Sequence, residues 1–187
     1  SCLVGSEMCI RDRPVVAYAL AAQRHMYKYG SNKETLAEIA IAASKWACLN
    51  DNAYRKNTLT KDEILDSPFI CSPLGKLDCC LVTDGGGAIV VSNTDLKEKF
   101  SLHPIFIKGF GEVTSHSSIN YAENMEILEV ARKSSEVAYS VSGLSPHNID
   151  LAMIYDSFTI TVLMSLEALG FCKVGEGKDF ISNNSIS

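Results

Sequence analysis

The sequence predicts an α/β fold in which one helix is buried between layers, and three observations lead to this prediction. Residues 149–170 read as a short apolar strand, a polar turn and a long apolar helix, the local order of an α/β sheet. A strand followed by a helix also precedes this segment, over residues 104–142. The later helix carries no charge from Phe158 to Leu166, whereas a surface helix needs a polar face. We therefore expect this helix to be covered on all sides.

Helices are expected first along the chain. Apolar residues recur at helical spacing from Pro14 to Tyr29, and Gly30 supplies a stop signal. A second helix is predicted from Lys33 to Leu49. Thr60 and Glu63 have the Thr-x-x-Glu spacing of a capping box, which predicts a short third helix.

Strands are expected next. The β-branched run Ile89–Val91 predicts a strand that is buried on both faces. The glycines Gly85–Gly87 before it let another backbone or a ligand come close, with packing as the more frequent role. They do not form a phosphate loop, because no Lys-Ser/Thr follows. Pro104–Phe110 predicts a further strand.

An amphipathic helix is predicted from Asn124 to Ser142, ending at Gly143. The charged residues from Glu126 to Glu136 are interpreted as its solvated face. The predicted buried stripe consists of apolar and small residues: Ile127, Val130, Ala131, Ser134, Val137, Ala138 and Val141.

The turn at residues 155–157 is the predicted functional site, because polar residues at the carboxyl end of such a strand face the ligand crevice. The Tyr155 hydroxyl has either a catalytic role or a structural one at the strand end. Asp156 is either a catalytic acid or a helix cap, and Ser157 is the other candidate cap. Gly170 suits the left-handed position that closes a helix.

Composition narrows the class of protein. The chain has 187 residues, 47% of them hydrophobic and 21% charged, which is typical of a globular protein. A net charge of −5 without clustered Lys and Arg argues against nucleic-acid binding. No stretch is long enough for a membrane span. An odd number of cysteines without a Cys-x-x-Cys pair indicates reduced thiols, no zinc site, and a cytosolic or organelle-matrix location.

Three separated segments agree, in order, with one known family: Cys71–Cys80, Asp84–Ser92 and Ile154–Gly177. From Pro14 onward the chain resembles the thiolase superfamily, in the branch related to the sterol-carrier-protein thiolases. The resemblance implies a layered α/β fold, with a helix layer sandwiched between mixed sheets, and a homodimer. It also implies coenzyme A thioesters as substrates and no covalently bound cofactor.

The resemblance also implies domain boundaries. Residues 14–72 correspond to the helical loop region of the N-terminal half, 73–101 to the end of that half, and 102–187 to the start of the C-terminal half. Residues 1–13 fit no structural period and are similar to translated adapter sequence, so we treat them as non-native. No segment matches the family's nucleophilic cysteine or C-terminal histidine motifs, so we expect this chain to be an inactive fragment of a longer enzyme.

The implied activity is that of an acyl-CoA thiolase, which performs Claisen condensation or thiolytic cleavage in lipid metabolism. Tyr155 stands where related thiolases have the asparagine of an oxyanion hole, so it is a candidate donor to a developing enolate. A thiolase-like aldol lyase is the first alternative, and a non-catalytic subunit that binds lipid or an OB-fold partner is the second. Candidate substrate-binding residues flank this turn or lie in the glycine run and the next strand region: Phe158, Ser157, Asp84, Gly85, Gly86 and His116.

Overall fold

The computed structural model describes residues 14–99, 104–116, 121–183 and 186, so the expectation for residues 1–13 lies outside the described chain. The described residues form six α-helices: α1 (Pro14–Tyr29), α2 (Lys33–Cys48), α3 (Lys61–Leu65), α4 (Glu129–Ser142), α5 (Thr159–Ala168) and α6 (Gly177–Ser182). Two short strands, β1 (Phe69–Cys71) and β2 (Leu74–Gly75), pair antiparallel. No described helix has the length and apolar character needed to cross a membrane.

Helix α5 lies at the centre of the structure, and helices α1, α2, α4 and α6 all pack against it. Its side chains are buried around the whole circumference, including Ile160 and Leu163, which are fully inaccessible. The core that forms around it is apolar and draws on each neighbouring element: Ala19, Ala21, Ala22, Leu36, Ile39, Leu74, Phe158, Met164, Leu166 and Ile181. The prediction of an α/β fold with a fully covered helix is confirmed.

Local signals predicted the ends of most helices. Gly30 adopts φ +71°, and Gly170 adopts φ +82° immediately after α5, as expected for left-handed closing positions. The Thr60 capping box is present. The predicted cap of α5 is wrong, because Phe158 occupies the N-cap position and makes no side-chain cap hydrogen bond. The Ser157 hydroxyl instead shares a hydrogen bond of 2.8 Å with Thr161 Oγ1.

The three predicted strands at residues 89–91, 104–110 and 149–154 do not form sheet ladders among the described residues. Their apolar side chains are exposed, for example Ile89 at 90%, Ile105 at 96% and Met153 at 94%. An apolar run becomes a strand only where a neighbouring backbone accepts and donates its hydrogen bonds. The described part of the chain contains no such neighbour for these runs.

The segment around Gly109 and Gly111 nevertheless packs directly on α4. A Cβ atom at Gly109 would collide with the Ala138 carbonyl oxygen, and one at Gly111 would collide with the Ser134 carbonyl oxygen. Only glycine permits this close approach of two backbones. Residues 109–111 therefore contact the following helix, although the predicted strand is absent.

Helix α4 differs from its prediction in length and orientation. It begins at Glu129 rather than at Asn124. Its Tyr139 hydroxyl donates to the Leu169 carbonyl oxygen at 3.1 Å, and its Ser135 hydroxyl, which donates within the helix to the Arg132 carbonyl oxygen at 2.8 Å, lies 3.5 Å from the Ala168 carbonyl oxygen. Two members of the predicted buried stripe, Val137 and Val141, are exposed. The helix therefore meets α5 through hydroxyl groups, which a hydrophobic pattern does not reveal.

Glu126 contradicts the prediction that the charges of this region are solvated. It precedes α4, is only 3% exposed, and accepts a hydrogen bond of 2.8 Å from Lys28 Nζ. Arg24 Nε lies 3.9 Å from the same oxygen. The carboxylate thus connects the beginning of α4 to the last turns of α1.

A second buried carboxylate, Glu167, joins three elements. His25 Nε2 lies 3.2 Å from Glu167 Oε2, and His25 Nδ1 lies 2.7 Å from Ser31 Oγ. The Gly177 N–H, at the start of α6, donates to Glu167 Oε1 at 3.0 Å. Because each polar group has a partner, the network stabilises the packing of α1 and α6 on α5.

We predict that Glu167→Ala lowers the free energy of unfolding by about 3 kcal/mol, because His25 and the Gly177 N–H lose their shared buried partner. Glu176→Ala is the matched control, since Glu176 is exposed and lies 3.8 Å from exposed Lys173. Its expected effect is below about 1 kcal/mol. Urea denaturation measures both values, and equal losses would contradict a specific role for Glu167.

The pH dependence of stability in Glu126→Gln tests the role of the Glu126 carboxylate. Burial tends to raise the pKa of Glu126, but the hydrogen bond from Lys28 and the charges of Lys28 and Arg24 outweigh it, so the pKa lies below the ordinary value of 4.5. The resulting stability is present above pH 4.5 and is lost as the pH falls through the lower folded-state pKa. We expect the free energy of unfolding of wild type to exceed that of Glu126→Gln by about 1 kcal/mol at pH 7.

This difference should shrink as the pH is lowered below 4.5. Exposed Glu123 is the control position, and Glu123→Gln should leave the profile of unfolding free energy against pH unchanged. A difference between wild type and Glu126→Gln that stays constant down to low pH would contradict the assignment.

Candidate active site

The candidate site is the turn that leads into α5. Tyr155 is 76% exposed, Asp156 is half-buried, and Ser157 and Phe158 are buried. The phenol of Tyr155 is therefore accessible to a ligand, while Ser157 and Phe158 are enclosed in the core. These four candidate residues are consecutive in the chain and lead directly into α5.

Residues 79–80 hold this turn from one side. The Cys80 N–H donates to the Ser157 carbonyl oxygen at 3.1 Å, and Cys79 forms an antiparallel bridge with Phe158. The Phe158 ring packs against Tyr18 of α1, with ring centroids 4.7 Å apart and planes inclined by 34°. Backbone pairing and aromatic packing thus fix the chain immediately after Tyr155.

Asp78 is a site-adjacent residue that the sequence analysis missed. It is 1% exposed, and its Oδ1 accepts a hydrogen bond of 3.0 Å from Thr159 Oγ1, at the first residue of α5. Its Oδ2 accepts from the Gly75 N–H at 2.7 Å and also pairs with the Lys33 ammonium of α2. An aspartate flanked by apolar residues was the available signal, but two of its partners are distant in sequence.

The environment of Asp156 alters its acidity. Burial raises the pKa of this carboxyl above the ordinary value of 3.8, because a low-dielectric surrounding disfavours the charged form. No hydrogen bond or ion pair joins its side chain to another described residue. Asp156 is therefore a stronger base than a solvated aspartate, next to an accessible tyrosine.

The glycine run lies a few residues beyond the contact that Cys80 makes with the turn. Asp84 and Gly85–Gly87 are exposed, and a Cβ added to any of the three glycines would have no heavy atom within 4 Å. His116 is also exposed, with its Nδ1 2.6 Å from Ser115 Oγ. Within the described ranges, no hydrogen bond connects Asp84 or His116 to Tyr155.

The cysteines near the core are poorly suited to nucleophilic attack. Burial raises the pKa of the Cys79 thiol. Burial, together with the nearby charges of Glu167 and Glu176, raises the pKa of Cys172 to about 12. Since the thiolate is the reactive form, both side chains are protonated and unreactive near neutral pH. The described residues include no cluster of three His, Cys, Asp or Glu side chains arranged to hold a metal ion.

Comparisons of the sequence and the structure with known proteins point to one family. The family model "Thiolase C-terminal domain-like" matches residues 111–187. The chain is 35% identical, over 181 residues, to a steroid side-chain-cleaving aldolase of Thermomonospora curvata, covering 94% of this chain and 46% of the aldolase. It is 28% identical, over 160 residues, to an acetyl-CoA acetyltransferase of Methanothermobacter thermautotrophicus, covering 86% of this chain and 42% of that enzyme.

A solved structure agrees. The Ltp2–ChsH2(DUF35) aldolase superposes with a TM-score of 0.89 at 32% identity, covering 94% of this chain and 47% of the aldolase chain. The chain thus spans about half the length of these relatives. The central buried helix, the turn that precedes it and these matches lead to one conclusion: the chain belongs to the thiolase superfamily.

Proposed function

We propose that the complete protein breaks or forms a carbon–carbon bond beside the carbonyl group of a coenzyme A thioester, and that retro-aldol cleavage is its reaction. The observation that carries this proposal is the exposed phenol of Tyr155 at the fixed turn before α5. The similarity to a steroid side-chain-cleaving aldolase in sequence, at 35% identity, and to a solved aldolase structure, at 32% identity, supports the lyase over other reactions of the superfamily.

Retro-aldol cleavage of a β-hydroxyacyl thioester requires two proton-handling groups. A base removes the proton of the β-hydroxyl group, the Cα–Cβ bond breaks to release a carbonyl product, and its electron pair forms a thioester enolate. We assign Tyr155 as the donor that stabilises the enolate oxygen, a contribution of about 3 kcal/mol for a preorganised hydrogen bond. The enolate is then protonated at Cα.

Asp156 is the group that we assign to the β-hydroxyl proton. Its raised pKa favours proton uptake, and its position next to Tyr155 places both groups on one short segment. A base with a pKa nearer to the working pH transfers protons more effectively. Ser157 and Phe158 support this segment from the core. Asp84, Gly85, Gly86 and His116 remain candidates for contacts with the substrate because they are exposed.

Thiolase-type acyl transfer is the second candidate function, favoured by the similarity to acetyl-CoA acetyltransferases. That reaction needs a cysteine thiolate with a base within hydrogen-bond reach. Cys79 and Cys172 do not meet this requirement, so another cysteine of the complete protein would carry the acyl group. Tyr155 would stabilise an enolate in this reaction as well.

We also propose that the complete protein is a homodimer in the cytoplasm or an organelle matrix and associates with a second protein of the OB-fold kind. The similar aldolase is named as a complex with a DUF35 protein. The exposed apolar segments that contain Ile89 and Ile105 support extensive further contacts, because large apolar patches usually mark interaction surfaces.

Tyr155→Phe tests the proposed reaction. We expect kcat for cleavage of a β-hydroxyacyl-CoA to fall about 100-fold, because the enolate loses its hydrogen-bond donor. Release of the carbonyl product measures the rate in the complete protein. Tyr121→Phe is the matched control, since Tyr121 is also 76% exposed, and it should retain wild-type activity.

Full cleavage activity in Tyr155→Phe would remove the basis of the proposal. Mass spectrometry of the complete protein mixed with acyl-CoA separates the two candidate reactions. The lyase predicts no acyl adduct, whereas an acylated cysteine without aldol cleavage would establish acyl transfer instead.

Asp156→Asn tests the assigned base. We expect a fall in kcat of about 100-fold, since a missing general base typically costs that much or more. In wild type, kcat/KM should fall as the pH drops through a pKa above 3.8, because the carboxyl becomes protonated, and this acid limb should be absent in the variant. Exposed Asp150 provides the control Asp150→Asn, which should keep both the rate and the limb. An unchanged acid limb in Asp156→Asn would refute the assignment.

A further inference from the structure

We propose that Asp78, Thr159 and Lys33 form a positioning network that holds Tyr155 in its reactive geometry, an inference that rests on the proposed function. We call these three side chains the Asp78 network. None of them contacts the substrate in this proposal. They act through the turn that carries Tyr155.

The first argument is the completeness of the network. Asp78 is buried and accepts hydrogen bonds from Thr159 Oγ1 at 3.0 Å and from the Gly75 N–H at 2.7 Å. The Lys33 ammonium pairs with it as well. A buried carboxylate is tolerated only when such partners compensate for lost hydration, so Asp78 selects one arrangement of the elements that supply them.

The second argument is position along the chain. Thr159 is the first residue of α5 and follows Tyr155 by four residues. Between them, the Ser157 carbonyl oxygen accepts the hydrogen bond of the Cys80 N–H at 3.1 Å. Residues 78–80 therefore hold the turn twice, once through the Asp78 side chain and once through the backbone.

The third argument is that Tyr155 has no direct anchor of its own. Among the described residues, nothing hydrogen-bonds its hydroxyl group, and the side chain is largely exposed. The direction of its side chain is therefore set by its own backbone, which lies two residues before the anchored Ser157. Small displacements of a catalytic group lower the reaction rate by large factors. The hydrogen bonds that hold Ser157 and Thr159 therefore affect the reaction by fixing the position of Tyr155.

Lys33 connects the Asp78 network to helix α2. It is the first residue of α2, and its ammonium lies 5.9 Å from the centre of the Phe69 ring of β1. The ion pair with Asp78 thus connects α2 to the first residue of α5. The position of α2 therefore influences the turn that carries Tyr155.

Thr159→Val tests the proposal in the complete protein. This nearly isosteric change removes the hydroxyl donor to Asp78. We expect kcat to fall roughly 10- to 100-fold while KM stays within about twofold, because a displaced Tyr155 affects the transition state more than binding. Thr159→Ser retains the hydroxyl and should restore kcat to near the wild-type value.

A double-mutant cycle with Tyr155→Phe distinguishes positioning from general structural support. If the network acts through Tyr155, Tyr155→Phe/Thr159→Val has about the same kcat as Tyr155→Phe alone. Multiplied losses, or no rescue by Thr159→Ser, would overturn the proposal. If Thr159→Val does not fold, Lys33→Met takes its place in the same cycle.

The two proposals fail in different ways. Full activity in Tyr155→Phe would refute the proposed function. A large loss in Tyr155→Phe together with an unchanged kcat in Thr159→Val would refute only the Asp78 network.

Discussion

The structure depends on one constraint, which is that α5 has no face suited to water. An amphipathic helix packs against neighbours on one side only. Helix α5 carries apolar side chains around its whole circumference and therefore requires neighbours on every side. Helices α1, α2, α4 and α6 supply them. Their arrangement leaves the beginning of α5, with Tyr155 just before it, at the edge of the core. The burial of the helix thus leaves the accessible phenol of Tyr155 directly before a segment, Ser157 and Phe158, that is packed in the core.

Three buried or nearly buried carboxylates make this packing specific. Asp78, Glu126 and Glu167 each accept hydrogen bonds from residues that are far away in sequence. Apolar packing is tolerant of small shifts, whereas a buried charge without its partners is strongly destabilising. Each carboxylate therefore selects one alignment of helices, and Asp78 does so at the turn that carries the candidate catalytic residue.

The exposed apolar segments have a different meaning from the core. Residues 89–91, 104–110 and 149–154 have the composition of buried strands, but the described chain offers them no backbone partner. The chain matches about half the length of its relatives, and the similar solved structure is named for an aldolase together with a DUF35 protein. Their exposure is the observation that supports the proposed contacts with a second copy and a partner protein.

The sequence alone determined the helices α1 to α3, the helix-ending glycines Gly30 and Gly170, the buried character of α5 and the place of the tyrosine turn. These features depend on local periodicity, caps and composition, which are visible within a few turns of chain. Tertiary structure alone decided the roles of Asp78, Glu126 and Glu167, the hydroxyl-mediated packing of α4, the N-cap at Phe158 and the absence of ladders at the three strand-like segments. The physical reason is that a carboxylate's pairing, the packing of a hydroxyl group and a sheet ladder each depend on atoms contributed by distant residues, and local sequence carries no information about where those atoms lie.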